Sequence, residues 1–146
     1  MIRESSTWRR PVLMGVALLT TLLGACWRSS PPPSRGNVTV TAVTVGRTLA
    51  ADDTIAADSQ TNMFWTTDTF YVSVATDGTA PSATLKARFT YADGTVVAEP
   101  TKTISPTGPT VTALQAANPE HWKPGDYKVE ILLDGVSAGS KDLNAR

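Results

Sequence analysis

The chain has 146 residues, with 13 basic and 13 acidic side chains, one histidine and one cysteine. Zero formal net charge removes the electrostatic case for a nucleic-acid partner, and a single cysteine excludes a disulfide scaffold. An apolar content of 41% is enough to build one ordinary core.

The opening "MIRESSTWRR" places Arg3, Arg9 and Arg10 against one acid, Glu4, and is followed by the uncharged run Val12 to Leu23. A basic start, a short apolar stretch and small residues after it form a secretory signal. A membrane-crossing helix needs about 20 apolar residues. This run is shorter, and Arg28 and the prolines at 31–33 stop it. The stretch Leu23-Gly24-Ala25-Cys26 resembles the lipobox of bacterial lipoproteins: an aliphatic residue, two small residues, then cysteine. Thin backbone at Gly24 and Ala25 suits a peptidase that must pass close to the cut. The resemblance implies cleavage between Ala25 and Cys26 and a covalent lipid on the Cys26 thiol, with no other cofactor. It also implies a bilayer as one partner, since each buried acyl carbon contributes about 0.8 kcal/mol. Trp27 follows the cysteine, not the aspartate associated with inner-membrane retention. The expected location is therefore the periplasmic face of an outer membrane, with the outer face of a plasma membrane as the alternative. Loss of Arg3, Arg9, Arg10 and Glu4 leaves ten basic and twelve acidic residues, a formal −2.

The expected organisation is a signal over 1–25, a lipidated cysteine and tether over 26–36, and a folded domain over 37–146. The tether "WRSSPPPSRG" is rich in Ser and Pro, a semi-extended spacer. The domain opens with "NVTVTAVTVG", in which valines alternate with threonines until the phase slips near Ala42. That pattern predicts a strand with a bulge or a switch of sheet. Residues 47–68 have weak periodicity and read as a long connection with a short strand around Thr54 to Ala56. Phe70, Val72 and Val74 then share one face of a strand ended by Asp77-Gly78.

"ATLKARFTYADGTVVAE" predicts a hairpin: Leu85, Ala87, Phe89 and Tyr91 face one way, Lys86, Arg88 and Thr90 the other, and Asp93-Gly94 turns the chain. Two short strands follow, split by Pro106, Gly108 and Pro109. Tyr127, Val129, Ile131 and Leu133 alternate in a last hairpin turned by Asp134-Gly135. Seven to eight short strands, and no helical period outside the signal, predict an all-β domain of sandwich type. A small barrel is the alternative.

"HWKPGDYKVEI" resembles the approach to the second-last strand of fibronectin type III and related immunoglobulin-like domains. There a bulky apolar residue, a Pro-Gly turn and a tyrosine precede an alternating strand; here these are Trp122, Pro124-Gly125 and Tyr127. The resemblance implies a tyrosine corner, with the ring inside and the hydroxyl on upstream backbone. The order of the three strand segments from Phe70 to Gly135 is also similar to C-terminal immunoglobulin-like domains of bacterial lipoproteins.

No residue set points to catalysis. His121 has no second ligand for a metal, and no serine lies in a Gly-x-Ser-x-Gly elbow. Asp52, Asp53, Asp58, Asp68 and Asp77 form no Asp-x-Asp-x-Asp calcium loop, and turn and cap roles account for them. Asn37-Val-Thr fits a glycosylation sequon, which the lipobox makes irrelevant. Phe64 and Trp65 either plug a sandwich end or form an aromatic contact surface. Lys86, Arg88 and Lys128 share an outward face if their strands are neighbours. The expected function is a non-enzymatic, membrane-tethered immunoglobulin-like module of the cell envelope, meeting a protein or a wall polymer. The alternative is a small periplasmic inhibitor or chaperone-like protein using an open sheet edge.

Overall fold

The computed structural model describes residues 36–146, and these form nine strands and one short 3-10 turn. The signal, Cys26 and the tether through Arg35 lie outside the described residues. The strands are β1 (Thr39–Gly46), β2 (Met63–Phe64), β3 (Phe70–Asp77), β4 (Ala83–Tyr91), β5 (Val96–Ala98), β6 (Thr101–Ile104), β7 (Thr110–Ala116), β8 (Gly125–Leu133) and β9 (Val136–Ala145). They build a two-layer β-sandwich. One sheet has the order β1-β3-β7; the other runs β2-β9-β8-β4-β5, with β6 also on β4.

The alternating segments became strands because one parity of each is apolar. In β4, Ala83, Leu85, Ala87 and Phe89 are buried while Thr84, Lys86 and Arg88 are not. The slip near Ala42 is a bulge: the register of β1 on β3 shifts between Val40 and Ala42. One extra residue lets Val38 and Val40 before it, and Val43 and Val45 after it, all turn to the core side.

The two Asp-Gly turns differ. Asp134 and Gly135 both have positive φ, 49° and 81°, and Leu133 pairs with Val136, which is the two-residue hairpin turn of type I′. At the other, only Gly94 has positive φ. Tyr91 N–H donates to Thr95 C=O at 2.8 Å and Gly94 N–H to Tyr91 C=O at 2.8 Å. The loop is thus three residues long, a type I turn closed by glycine.

The strand expected around Thr54 to Ala56 is absent, and a 3-10 turn occupies Ala57–Ser59. Local side-chain bonds account for the difference. Asp52 Oδ1 accepts from Thr54 N–H at 3.2 Å and Thr54 Oγ1 at 2.6 Å. Asp53 takes a positive φ of 64°. Such bonds give the backbone an alternative to a ladder. The strand in this connection is instead β2, parallel to the end of β9, with Met63 opposite Asn144 and Phe64 opposite Ala145.

The core lies between the sheets and is aromatic at one end. Phe70 packs on Phe64 with centroids 4.6 Å apart, stacks on Trp122 at 4.4 Å, and meets Tyr127 edge-on at 5.7 Å. Phe64, Phe70, Phe89, Leu85 and Ile131 are fully buried. Each such burial contributes about 1.5–3 kcal/mol.

Candidate functional site

The loop before β8 holds the tyrosine arrangement. Tyr127 Oη donates to the Lys123 carbonyl at 2.7 Å, four residues upstream. The ring is buried among Phe70, Tyr91 and Trp122. A second tyrosine does the same for the next carbonyl: Tyr91 Oη donates to Pro124 at 2.9 Å. Gly125 makes this approach feasible. Its φ is 140°, and a Cβ there would stand 2.7 Å from Tyr91 Oη. Trp122 is anchored by its indole N–H, which donates to Asp68 C=O at 2.8 Å. Sequence reasoning found Trp122, Gly125 and Tyr127 but missed Tyr91, whose parity marked it only as a core residue.

Burial, and then the nearby Tyr91, push the Tyr127 phenol above its ordinary value, which is about 10. Only the protonated phenol can donate to Lys123. A folded value above the unfolded one means that this contribution to stability is complete below about pH 10 and is lost as pH rises through the folded value. The denaturation midpoint is therefore expected to fall on the alkaline side, and to fall less in Tyr127→Phe. Equal alkaline slopes for the two proteins would remove Tyr127 from the linkage.

The residues expected on a contact surface separate. Phe64 is a correction: it has no exposed surface, because in β2 Met63 faces out and Phe64 faces in. Trp65 continues the alternation and is 52% exposed. Its main chain is pinned: its N–H donates to Asp68 Oδ2 at 2.8 Å, and its C=O accepts from Asp68 N–H at 2.9 Å. Two guanidiniums stand over its ring, Arg47 with Cζ at 5.9 Å and Arg146 at 5.3 Å from the centroid. Arg47 also donates to Met63 C=O at 2.7 Å, and its Nε lies 3.0 Å from Asp68 Oδ2. That Nε is buried and points off the direction of a hydrogen bond, so its link to Asp68 is chiefly charge attraction.

Lys86, Arg88 and Lys128 do come to one outward face, because β4 pairs with β8. They are interleaved with acids. Arg88 Nε meets Glu99 Oε1 at 2.8 Å, and its Nη1 lies 3.5 Å from Glu130 Oε2. The hydrogen bond from Arg88 holds the Glu99 carboxyl below its ordinary value. Lys128 sits opposite Asp142 of β9. The face is a mixed-charge, solvated surface and not a cationic one.

The aspartates bond backbone and neighbouring side chains, most within a few residues and Asp53 across to β7. Besides Asp52 and Asp68, Asp53 Oδ2 accepts from Ala113 N–H at 3.2 Å, Asp77 from Gly78 N–H at 2.7 Å, and Asp58 from Ser59 Oγ at 3.3 Å. Among the described residues no three His, Cys, Asp or Glu side chains converge as a metal site. His121 is an exposed turn residue with a φ of 66°. An apolar groove of about 320 Å³ opens between β1 and the β8–β9 turn, walled by Val38, Val40, Leu133 and Val136. Its one carboxylate, Asp134, is engaged by Thr84 N–H at 2.8 Å, so the groove presents no acid–base pair.

The sheet edges are guarded. β1 carries its bulge. At the β7 edge Asp53 takes the Ala113 N–H, with Lys102 Nζ 3.7 Å from the same oxygen. Beyond β4 the short β5 and β6 are separated by Glu99-Pro100. In β9, Lys141 has the parity of buried Leu143 and lies beside Val43 and Val45. Bulges, edge prolines and inward-pointing charges are the means by which proteins prevent strand addition.

No protein-family model matches the chain, and no curated protein matches it in sequence. Among solved structures it is similar to an immunoglobulin-like protein from Pseudomonas aeruginosa, with 14% identity and a TM-score of 0.50 over 77% of this chain and 99% of that one. It is also similar to part of the Pseudomonas fluorescens alkylpurine DNA glycosylase AlkC bound to DNA containing an abasic site analog. There the identity is 14% and the TM-score 0.52, over 77% of this chain. The matched region spans 31% of the glycosylase chain, so the likeness concerns one part of it. At such identities the likeness is one of fold: the described domain is an immunoglobulin-like β-sandwich.

Proposed function

We propose that this chain is a lipid-anchored, non-enzymatic immunoglobulin-like module of the bacterial envelope that binds a protein or a wall polymer. The observation that carries the reading is Leu23-Gly24-Ala25-Cys26 after a basic, apolar start, ten residues ahead of Gly36. A domain with its own core begins where a short Pro-rich tether ends, as a surface-held binding module requires. The contact face is offered by the exposed Trp65 and its neighbours; Phe64 is no part of it. The mixed-charge face of Lys86, Arg88 and Lys128 contributes solubility. A sheet-edge inhibitor is the less favoured alternative, because each edge carries a guard.

Intact mass of the membrane-extracted protein should show loss of residues 1–25 and gain of acyl groups, and Cys26→Ser should accumulate as uncut precursor. An unmodified chain recovered free of membrane would overturn the anchor.

A further inference from the structure

We propose that Asp77-Gly78 is a self-modifying pair, in which the Gly78 main-chain nitrogen closes on the Asp77 carboxyl to a succinimide whose hydrolysis leaves isoaspartate beside the start of β1. The reaction needs neither the lipid anchor nor a partner.

Three aspartates stand directly before a glycine: Asp77, Asp93 and Asp134. Glycine leaves its amide nitrogen uncrowded, so the sequence alone does not rank the three. Asp77 and Asp93 even share one tripeptide, Asp-Gly-Thr. The fold separates them. At Asp93 the reacting groups are turned apart: the carboxylate accepts from Thr95 N–H at 2.9 Å, and Gly94 N–H donates to Tyr91 C=O at 2.8 Å. At Asp134 the carboxylate accepts from Thr84 N–H of β4 at 2.8 Å. At Asp77 the groups are turned together, with Gly78 N–H donating to Asp77 Oδ1 at 2.7 Å. The carbon to be attacked lies one bond beyond that oxygen. A nucleophile held beside its electrophile gains rate from proximity. Asp77 is also exposed and is the last residue of β3. It pairs with Thr39 of β1 and with no residue of β7.

The hydrogen bond aligns the proton that has to move. As it passes from nitrogen to the carboxyl oxygen, the nitrogen electron pair forms the N–Cγ bond. The Cγ–O bond then breaks and one water leaves, its second proton coming from solvent. One water reopens the ring. Attack at Cγ restores Asp77, and attack at the main-chain carbonyl gives isoaspartate. No oxidant or outside group takes part. Isoaspartate carries the main chain through the β-carbon and lengthens it by one methylene. That insertion falls where Thr39 pairs with Asp77. There Gly78 lies so close to Asn37 that even a Cβ would stand 2.2 Å from the Asn37 carbonyl oxygen. The start of β1 should therefore loosen, while the aromatic core at the Phe70 end of β3 is left alone.

The full chain in detergent micelles is kept at neutral pH in water enriched in heavy oxygen, digested, and read by electron-transfer mass spectrometry. Heavy oxygen and isoaspartate should accumulate at Asp77 at least tenfold faster than at Asp93 or Asp134. In strong denaturant the Asp77 and Asp93 rates should converge, since Asp-Gly-Thr is common to both. Asp77→Glu would have to close a six-membered ring, so it should melt as the parent does and acquire no isomer at that position. Isomer absent from Asp77, spread evenly over the three pairs in folded protein, or concentrated at Asp93 or Asp134 would overturn the proposal. An Asp77 rate still tenfold ahead in denaturant would overturn the part assigned to the fold. Amide hydrogen exchange over Thr39–Val43 should rise in the aged parent and stay low in aged Asp77→Glu. Unchanged exchange beside an isomerised Asp77 would overturn the consequence for β1.

Discussion

Phe70→Ala is expected to destabilise the domain by about 3–5 kcal/mol, the range of buried aromatic truncations. Phe70 is the hub of the aromatic end: it touches Phe64, Phe89, Trp122 and Tyr127. These rings come from β2, β4, the loop before β8, and β8 itself. Removing the hub leaves a void that Trp122 cannot fill, because its indole N–H is fixed on Asp68. Both the transfer loss and the cavity loss should therefore appear in full. Chemical denaturation decides it, with Lys128→Ala as a control expected within ~0.5 kcal/mol of the parent. A Phe70→Ala loss below about 1 kcal/mol would mean that the aromatic end is loosely packed.

The second large effect belongs to Tyr127. Tyr127→Phe keeps the ring and leaves the Lys123 carbonyl without its donor, so a loss of about 1–3 kcal/mol is expected. Tyr127→Ala adds the cavity and should reach about 3–5 kcal/mol. The neighbouring Tyr91→Phe should cost less, since its ring is only half-buried. The two hydroxyls hold adjacent carbonyls, and residues sharing one segment couple. The double Phe variant should therefore depart from the sum of the two single losses. If Tyr127→Phe proves as harmless as Lys128→Ala, the hydrogen bond contributes nothing and the segment is held by its rings alone.

Much of this architecture was legible because two-sided sheets write themselves into sequence as alternation. β4 and β8 each have one apolar parity, and the slip near Ala42, read as a bulge or a switch of sheet, is a bulge. What stayed hidden was set by contacts distant in the chain. β2 has two residues and no period, and its partner lies some eighty positions later in β9. The connection after β1 was read for β-propensity, whereas the Asp52 side chain and the positive φ of Asp53 turned it. Tyr91 looked like one more inward residue of β4, and only the fold brings its hydroxyl to Pro124. The Trp65 cluster is the extreme case: Arg47, Trp65 and Arg146 come from three separate parts of the chain, and no spacing rule joins them.

The guarded edges bear on how the molecule behaves in a crowd of its own copies. A sandwich with bare strands becomes, at high concentration, a monomer for open-ended fibres. Here Lys141, which has the core-facing parity of β9, would have to give up part of its water before another strand could settle on β9. The barrier is kinetic as well as thermodynamic, because it acts on first encounter. Lys141→Val is thus a variant that could fold more tightly and still be lost from solution faster, so thermal melting and colloidal lifetime would move in opposite directions.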